Sequence, residues 1–381
     1  MIYLDSAATS FRKPPAVREA VLRAMEECAS LGRGGYRAAN EAAERVFVCR
    51  ERCAALFDCL PEQVVFTSCA THGLNLAIKG TVSTNERVVV SGFEHNAVMR
   101  PLYALGARTV VVGRRLFDPA DTLRAFREAV TPETKAVICT HVSNVFGYVL
   151  PIEEIAALCR ERGTALIVDA SQSAGCLPLS LRKLGADFIA MPGHKGLYGP
   201  QGTGILLCGR VPERTLLEGG TGSLSREREM PEFLPDRLEA GTHNVPGIAG
   251  LSEGIRFIME TGLAEIRERE QQLVRLATAR LSEIPGTRVF SGKPQSGVLS
   301  FLCGEDSEET AAYLASREIA VRAGLHCAPT AHESAGTLES GTVRASFSAF
   351  SGEADIMALA AAVSDYEKNA GRKKETPLLH L

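Results

Sequence analysis

The chain contains the segment AMPGHKG at residues 190–196, and the segment ALIVDASQ precedes it at residues 165–172. Each begins as a short apolar run of the kind that forms a buried strand. Each then passes into a residue able to do chemistry, Asp169 in the earlier segment and Lys195 in the later one. Side chains that follow neighbouring parallel strands meet at one edge of a sheet, where ligands bind in α/β proteins. These two segments therefore decide both the expected fold and the expected site.

Helical and strand patterns alternate around these segments, from about residue 14 to residue 245. Helical stretches separate most of the strands, which predicts an α/β fold with a mostly parallel sheet and helices on both faces. The strands are predicted at residues 64–67, 87–91, 109–112, 136–140, 164–168, 188–191 and 204–208.

The pattern changes after about residue 246, where a long helical region is followed by short strands mixed with helices. This predicts a smaller α+β domain. We assign residues 13–246 to a large domain, residues 1–12 and 247–370 to the small domain, and residues 371–381 to a frayed tail.

The composition is that of an ordinary globular protein, with 45% of the 381 residues apolar, 23% charged and a net charge of -3. This charge gives no reason to expect a nucleic acid or an anionic membrane as a partner. No apolar run approaches the roughly 20 residues of a membrane span. The N-terminal residues also lack the pattern of a signal peptide. We therefore expect a cytoplasmic protein.

The eleven cysteines form no CxxC pair, which argues against a zinc ribbon or a thioredoxin-like motif. Several lie within apolar runs, as Cys139 does, and are expected to be buried thiols in a reducing compartment. Cys327 differs, because Arg, Gly, His and Pro interrupt the apolar pattern in RAGLHCAP at residues 322–329. A thiol flanked by His and near Arg on such a loop is a candidate nucleophile, and the alternative is a buried inert thiol.

Lys195 and Asp169 together suit a site for pyridoxal phosphate (PLP). The lysine amine can form a Schiff base with the cofactor aldehyde, and the aspartate can keep the pyridine nitrogen protonated, so that the ring draws electrons from a substrate carbanion. Taken singly, each has an ordinary alternative, a solvated loop lysine and a strand-end aspartate. Their combination with further motifs favours the cofactor site.

Further candidates lie at or near predicted strands. The segment TSCATHG at residues 67–73 offers backbone amides at a helix N-terminus for a phosphate, or else an ordinary helix cap by Thr71. His95 would stack on a planar cofactor or shuttle protons, or else mark the entry to a helix. Asn144 would donate to a phenolate oxygen or a carboxylate, or else occupy a turn. Arg344 lies in a strand-like run, where its charge needs either a substrate carboxylate or an internal acid.

These segments, in this order, resemble the class V aminotransferase family of fold-type I PLP enzymes, and within it the cysteine desulfurase and selenocysteine lyase branch. The resemblance begins at YLDSAAT (residues 3–9) and continues through the segments above to GTVR (residues 341–344), so it covers nearly the whole chain. It implies a fold-type I architecture, with a mostly parallel seven-stranded sheet in the large domain and a smaller α+β C-terminal domain.

By position, the resemblance implies a role for each candidate. Lys195 corresponds to the Schiff-base lysine, Asp169 to the partner of the pyridine nitrogen, His95 to the ring-stacking histidine, and Cys327 to the cysteine that takes sulfur as a persulfide. The other implied cofactor contacts are Ala70, Thr71, Asn144, Gln172, His194 and Thr242, of which Thr242 reaches the phosphate in the neighbouring subunit. The implied substrate-binding residues are Asn144, Arg322 and Arg344.

The implied function is that of a homodimeric cysteine desulfurase, which converts L-cysteine into L-alanine, keeps the sulfur on Cys327 as a persulfide and passes it to an acceptor protein. The alternatives are a selenocysteine lyase and a PLP-dependent lyase or epimerase of other amino-acid specificity. Two further alternatives lie outside these classes: a scaffold that retains PLP, and a nucleotide-binding protein. The absence of GxGxxG and of GxxxxGK argues against the nucleotide-binding protein. The chain departs from the family at Pro192, where a serine is common, and its short cysteine segment resembles the group II desulfurases.

Overall fold

The computed structural model describes residues 1–31, 34–304 and 306–375. Its strands are β1 (Ile2–Tyr3), β2 (Val64–Thr67), β3 (Arg87–Ser91), β4 (Arg108–Val112), β5 (Thr134–Thr140), β6 (Ala165–Asp169), β7 (Phe188–Pro192), β8 (Gly204–Cys208), β9 (Arg288–Phe290), β10 (Val298–Leu302), β11 (Ile319–Ala320) and β12 (Val343–Ser346). Its helices are α1 (Pro15–Glu27), α2 (Arg37–Phe57), α3 (Ala70–Thr81), α4 (Asn96–Leu105), α5 (Pro119–Ala129), α6 (Ile152–Arg162), α7 (Leu181–Leu184), α8 (Val245–Thr261), α9 (Leu263–Ser282), α10 (Ser307–Ser316), α11 (Pro329–Ala335) and α12 (Glu353–Glu375).

Seven strands form the central sheet, in the order β2-β8-β7-β6-β5-β3-β4. β8 runs antiparallel to both of its neighbours, and the other neighbouring pairs are parallel. This confirms the predicted mostly parallel seven-stranded sheet. β5 and β6 are near-continuous apolar runs with most residues buried on both faces, which is the pattern of a parallel sheet covered by helices on both sides.

The C-terminal part of the chain forms a three-stranded antiparallel sheet in the order β12-β10-β9, against which α9 and α10 pack. β1 pairs in parallel with β11, where Ile2 lies opposite Ile319, so the first residues belong to this smaller unit. The N-terminal segment then crosses to the central sheet, where the amide of Ser10 donates to the carbonyl of His194 at 2.9 Å. One short segment therefore contacts both units.

The helical region predicted after residue 246 consists of two helices, α8 and α9, which meet at Gly262. Gly262 has a φ of 90°, which a residue with a Cβ rarely adopts, so the chain turns there. α8 packs against α1 and α2, and its Ile248, Leu251 and Ile255 are buried in the core below the central sheet. α8 therefore lies with the large sheet, although the boundary predicted at residue 246 places it in the small domain.

Two C-terminal segments differ from the sequence-based expectation. α11 begins two residues after Cys327, because Pro329 suits the first turn of a helix, where its missing N–H is not needed. α12 continues to Glu375, so residues 371–375 of the expected tail are helical, and residues 376–381 lie outside the described residues. Within the described ranges, no helix is long and apolar enough to span a membrane.

The loops that leave β6 and β7 cross each other at two glycines. Gly175 has a φ of 84°, and a Cβ built on it would overlap the carbonyl oxygen of Gly196, the residue after Lys195. Only a residue without a side chain lets the two backbones pass this closely. The crossing therefore fixes the lysine loop against the loop that follows Asp169.

Replacement of Gly175 by Ala should lower the free energy of unfolding by about 3 kcal/mol, because a left-handed φ is combined with an overlap between Cβ and backbone. The matched control is Gly163→Ala at the end of α6, where φ is 64° and no described atom lies within 4 Å of the built Cβ. This control should lower the free energy of unfolding by about 1 kcal/mol. Guanidinium denaturation measures both losses, and equal losses would show that the crossing is not tight.

Candidate active site

One cavity, with an empty volume of about 490 Å³, collects most of the candidate residues. It lies at the carboxyl edge of the central sheet, where β5, β6 and β7 end. The candidates that line it are Ala70, Thr71, His95, Asn144, Asp169, Gln172, His194 and Lys195. The fold thus brings together side chains that are more than a hundred residues apart in sequence.

Lys195 lies on the turn that follows β7. Burial lowers the pKa of its amine from the ordinary 10.5 to about 8, although the negative charge of Asp169 acts in the opposite direction. More of this amine is therefore neutral near neutral pH than on an exposed lysine. A neutral amine has the lone pair that a nucleophile or a base needs.

Asp169 is the last residue of β6 and is only 2% exposed. Its Oδ1 accepts the backbone N–H of Ser171 at 2.9 Å, and its carbonyl accepts the backbone N–H of His141 at 2.9 Å. It is paired with Thr140 on one side and with Ala190 on the other. The backbone of the sheet therefore holds this carboxyl at a fixed place in the cavity.

His95 is the N-cap of α4, where its Nδ1 accepts the backbone N–H of Ala97 at 2.9 Å. Burial lowers the pKa of its ring. A neutral ring that accepts at Nδ1 carries its proton on Nε2. His95 is therefore both a helix-entry residue and a cavity-lining residue, and the two interpretations of the sequence do not exclude each other.

The first turn of α3 is open to an anion. The N-cap residue, Cys69, makes no side-chain cap hydrogen bond within the described chain. Thr71 is exposed inside that turn, so it does not cap the helix as the alternative interpretation required. Because backbone N–H groups at a helix N-terminus attract negative charge, a phosphate group fits this end of the cavity.

His194 is held by the N-terminal segment of the chain. Its carbonyl accepts the backbone N–H of Ser10 at 2.9 Å, and its Nδ1 lies 3.1 Å from the hydroxyl oxygen of Thr9. Burial lowers the pKa of the His194 ring to about 4, and the charge of Lys195 acts in the same direction. The ring is therefore neutral and offers the cavity a hydrogen bond and not a charge.

Two candidate amides are engaged by the protein itself. Nε2 of Gln172 donates to the carbonyl of Ala7 at 2.9 Å, and Nδ2 of Asn144 donates to the carbonyl of His326 at 2.8 Å. Each amide carries a second N–H, so each keeps one donor for a ligand. Pro192 also lines the cavity, and it brings no hydroxyl to this wall.

Arg344 is 2% exposed and has an internal acidic partner, Asp5, which the sequence analysis missed. Its Nη2 donates to Oδ1 of Asp5 at 2.8 Å, and its Nη1 donates to the carbonyl of Asn144 at 3.0 Å. Nε of Arg322 donates to the other oxygen of Asp5 at 3.1 Å. The structure thus contains the internal ion pair that was the alternative for Arg344. Its Nε, however, is buried without a partner among the described residues.

Cys327 is exposed, whereas the other cysteines of the chain are buried or half-buried. It lies on a turn with a left-handed φ of 55°, and its carbonyl accepts the backbone N–H of Asn96 at 2.8 Å. That bond places the turn beside the helix that His95 caps. Burial lowers the pKa of the neighbouring His326 to about 2, so its ring is neutral.

Thr242 lies apart from this cavity, exposed on the irregular segment that precedes α8. Glu239 fastens the start of that segment. Its carboxylate accepts two N–H groups of Arg50, at 3.0 and 2.9 Å, and lies 2.7 Å from Nε2 of His243. Within one chain, the structure therefore does not bring Thr242 to the other cofactor candidates.

Glu94 is a second group that the sequence analysis did not include. It is fully buried, and Oε1 accepts the backbone N–H of Thr140 at 2.8 Å and the hydroxyl of Ser91. Burial raises the pKa of Glu94 to about 8, although these hydrogen bonds act in the opposite direction. The feature of the sequence that could have identified Glu94 is its position between the end of β3 and His95.

The chain matches the family model described as aminotransferase class-V over residues 2–359, and it belongs to this family. A probable cysteine desulfurase of Methanothermobacter thermautotrophicus is 33% identical over 372 residues, which cover 94% of this chain and 92% of that protein. A cysteine desulfurase of Klebsiella pneumoniae is 33% identical over 352 residues, which cover 86% of this chain and 84% of that protein.

Solved structures resemble the whole architecture. The apo structure of a cysteine desulfurase from Thermococcus onnurineus has a TM-score of 0.87 at 29% identity, over 97% of this chain and 95% of that one. A cysteine desulfurase from Escherichia coli has a TM-score of 0.83 at 27% identity, over 98% of this chain and 95% of that one. The likeness therefore includes both sheets.

Replacement of Glu94 by Gln should flatten the pH dependence of stability. Folding raises the pKa of Glu94 from 4.5 to about 8, so between these values the native state binds more protons than the unfolded state and stability falls as pH rises. Between pH 5 and pH 8, the free energy of unfolding of the wild type should fall by on the order of 3 kcal/mol more than that of Glu94→Gln.

Guanidinium denaturation at the two pH values measures this difference. Glu62→Gln, at an exposed glutamate, is the matched control and should behave as the wild type does. Parallel pH dependences for Glu94→Gln and the wild type would mean that Glu94 is ionised in the native state.

Proposed function

We propose that the protein is a PLP-dependent cysteine desulfurase, which converts L-cysteine into L-alanine and takes the sulfur onto Cys327 as a persulfide. One observation carries this proposal: the backbone N–H of Asn96 holds the carbonyl of Cys327, so an exposed thiol is fastened to the helix whose N-cap lines the cavity of Lys195. Relatives named as cysteine desulfurases support the same activity.

The residues of the cavity fit PLP. The amides at the start of α3 and the hydroxyl of Thr71 would receive its phosphate, the amine of Lys195 would bind its aldehyde carbon, and Asp169 would face its ring nitrogen. His95 would lie against the ring, and the remaining N–H of Gln172 would meet the phenolic oxygen. When bound, this cofactor supplies an electron-accepting ring that stabilises negative charge at the α-carbon of the substrate.

The chain's own groups then have separate tasks. Lys195 is suited to take the proton from the α-carbon and return it, because burial keeps part of its amine neutral. Asp169 would favour a protonated ring nitrogen in the bound cofactor, because its carboxyl is held in the same cavity. Arg344 would bind the substrate carboxylate through its unpaired Nε edge.

The sulfur transfer balances without any further reactant. The thiolate of Cys327 attacks the sulfur of the substrate, the bond from that sulfur to the β-carbon breaks, and the bonding electrons stay with the carbon, which takes a proton. One L-cysteine and one Cys327 thiol thus give one L-alanine and one persulfide. Because Cys327 is exposed, a thiol of an acceptor protein can reach the outer sulfur.

The proposal includes the cytoplasm as the compartment. The cysteines of the described chain are unpaired, and a reducing compartment keeps thiols in that state. Recovery of the protein from an oxidising compartment by cell fractionation would contradict this part.

The proposal also includes a homodimer in which Thr242 contacts the cofactor phosphate of the other copy, because Thr242 is exposed and lies outside the cavity of its own chain. Sedimentation should give twice the mass of one chain. Thr242→Val should lose PLP faster during dialysis than the wild type does. A single-chain mass, or unchanged retention, would contradict the shared site.

Two variants test the central proposal. Cys327→Ala should keep the visible absorption of bound PLP, because the residue lies on an exposed turn, but it should release alanine from L-cysteine at least a hundredfold more slowly, because no thiolate takes the sulfur. Lys195→Ala should lose both the visible band and the turnover, because it removes the amine of the cavity.

Alanine release and absorbance measure these effects, with Cys28→Ala, at a half-buried cysteine, as the control that should behave as the wild type does. L-Selenocysteine serves as a parallel substrate, and the loss in Cys327→Ala should be smaller there, because the carbon–selenium bond is weaker. A Cys327→Ala protein that desulfurates L-cysteine at the wild-type rate would overturn the proposal in favour of another PLP lyase or epimerase.

A further inference from the structure

Asp5 joins two arginines that come from separate segments of the small unit. Its Oδ1 accepts Nη2 of Arg344 at 2.8 Å, and its Oδ2 accepts Nε of Arg322 at 3.1 Å. The three residues stand on adjacent extended segments, because Asp5 bridges to Ser346 and Arg322 bridges to Arg344 through their backbones. The side chain of Asp5 is 12% exposed and that of Arg344 is 3% exposed, so the pair is shielded from water.

The guanidinium of Arg344 is bound to the protein at both terminal nitrogens but not at Nε. Nη2 is bound to Asp5, and Nη1 is bound to the carbonyl of Asn144 at 3.0 Å, on the wall of the cavity. Nε is buried and has no partner within the described chain. A buried charged donor left unpaired is costly, and a ligand that reached this edge would satisfy it.

The charges of this cluster also leave room for an anion. Two guanidinium groups share one carboxylate, and the structure gives neither arginine another acidic partner within 4.0 Å among the described residues. The cluster therefore keeps one net positive charge. Burial lowers the pKa of Arg344, and the carboxylate of Asp5 acts in the opposite direction and so favours the charged form.

We infer that Asp5 is a positioning residue for substrate binding: it fixes Arg344 so that the Nε edge meets the carboxylate of an amino-acid substrate, and it separates the charges of Arg344 and Arg322. This inference rests on the proposed function. Asp5 itself does not touch the substrate. Its loss would leave the two arginines to repel each other and would free Arg344 to leave the orientation that bidentate binding needs.

Asp5→Asn tests the inference in the PLP-loaded enzyme. The probes are L-alanine, which carries a carboxylate, and ethylamine, which is the same amine without it, and the change in absorbance of the bound cofactor gives each dissociation constant. For Asp5→Asn, the constant for L-alanine should rise at least tenfold, and the constant for ethylamine should stay within twofold. With L-cysteine, KM should rise more than kcat falls, because the defect lies in carboxylate binding.

A role of Asp5 in merely tying down the N-terminus would affect both probes equally. The matched control is Glu318→Gln, which removes the exposed pair between Glu318 and the N-terminal amine of Met1, and both constants should stay at the wild-type values. Asp5→Glu keeps the charge on a longer side chain, and it should weaken the binding of L-alanine less than Asp5→Asn does. Asp5→Glu also tests the inference if Asp5→Asn fails to fold.

The outcomes separate the inference from the proposed function. Unchanged L-alanine binding in Asp5→Asn and Asp5→Glu, or equal weakening of L-alanine and ethylamine, overturns the positioning role. A wild type that binds L-alanine no better than ethylamine overturns carboxylate recognition by Arg344. A wild type that binds L-alanine selectively but releases none from L-cysteine overturns the desulfurase activity and leaves the role of Asp5 in place.

Discussion

The site depends on the backbone pairing of β6 with its two neighbours. Asp169 lies opposite Thr140 of β5 on one side and Ala190 of β7 on the other, and Lys195 follows Ala190 by five residues. Main-chain hydrogen bonds therefore fix Asp169 relative to β7, the strand from which the lysine turn leaves. A shift of one residue in either pairing would turn the side chain of Asp169 to the opposite face of the sheet. The buried apolar strands that stabilise the fold are thus also what positions the charged groups.

The N-terminal segment connects this edge of the sheet to the smaller unit. The amide of Leu4 donates to the carbonyl of Ala320 at 2.9 Å, and six residues on, the amide of Ser10 donates to the carbonyl of His194 at 2.9 Å. Between these anchors, Asp5 meets the arginine pair and Ala7 accepts Gln172. A short piece of chain thereby contacts both Arg344 and the lysine turn. This is how an acidic residue near the start of the chain can influence a cavity formed by residues beyond position 68.

The sequence predicted the central sheet well because parallel strands buried on both faces are continuous apolar runs, and β3 and β8 begin and end at the predicted residues. Eight of the residues that line the cavity were also sequence candidates, because each lies near a strand end at one edge. Asp5 escaped notice because its partner Arg344 is 339 residues away. The same limit applies to Glu94, whose charge state depends on burial by the whole core. The split between α8 and α9 depended on the φ of one glycine, Gly262, which the amphipathic pattern does not reveal.

The proposed function makes opposite demands on Lys195 and Cys327. Lys195 must be buried, because burial is what lowers the pKa of its amine to about 8. Cys327 must be exposed if its sulfur is to pass to another protein. The backbone meets both demands with two successive left-handed residues, His326 at φ 50° and Cys327 at φ 55°. Such residues cost roughly 1–3 kcal/mol each and persist only where the surroundings hold them. Here the side chain of Asn144 holds the carbonyl of His326 and the amide of Asn96 holds that of Cys327. The strained turn is therefore fastened on both carbonyls, to Asn144 of the cavity wall and to Asn96, the residue after His95, and these two contacts hold the backbone that carries the exposed thiol.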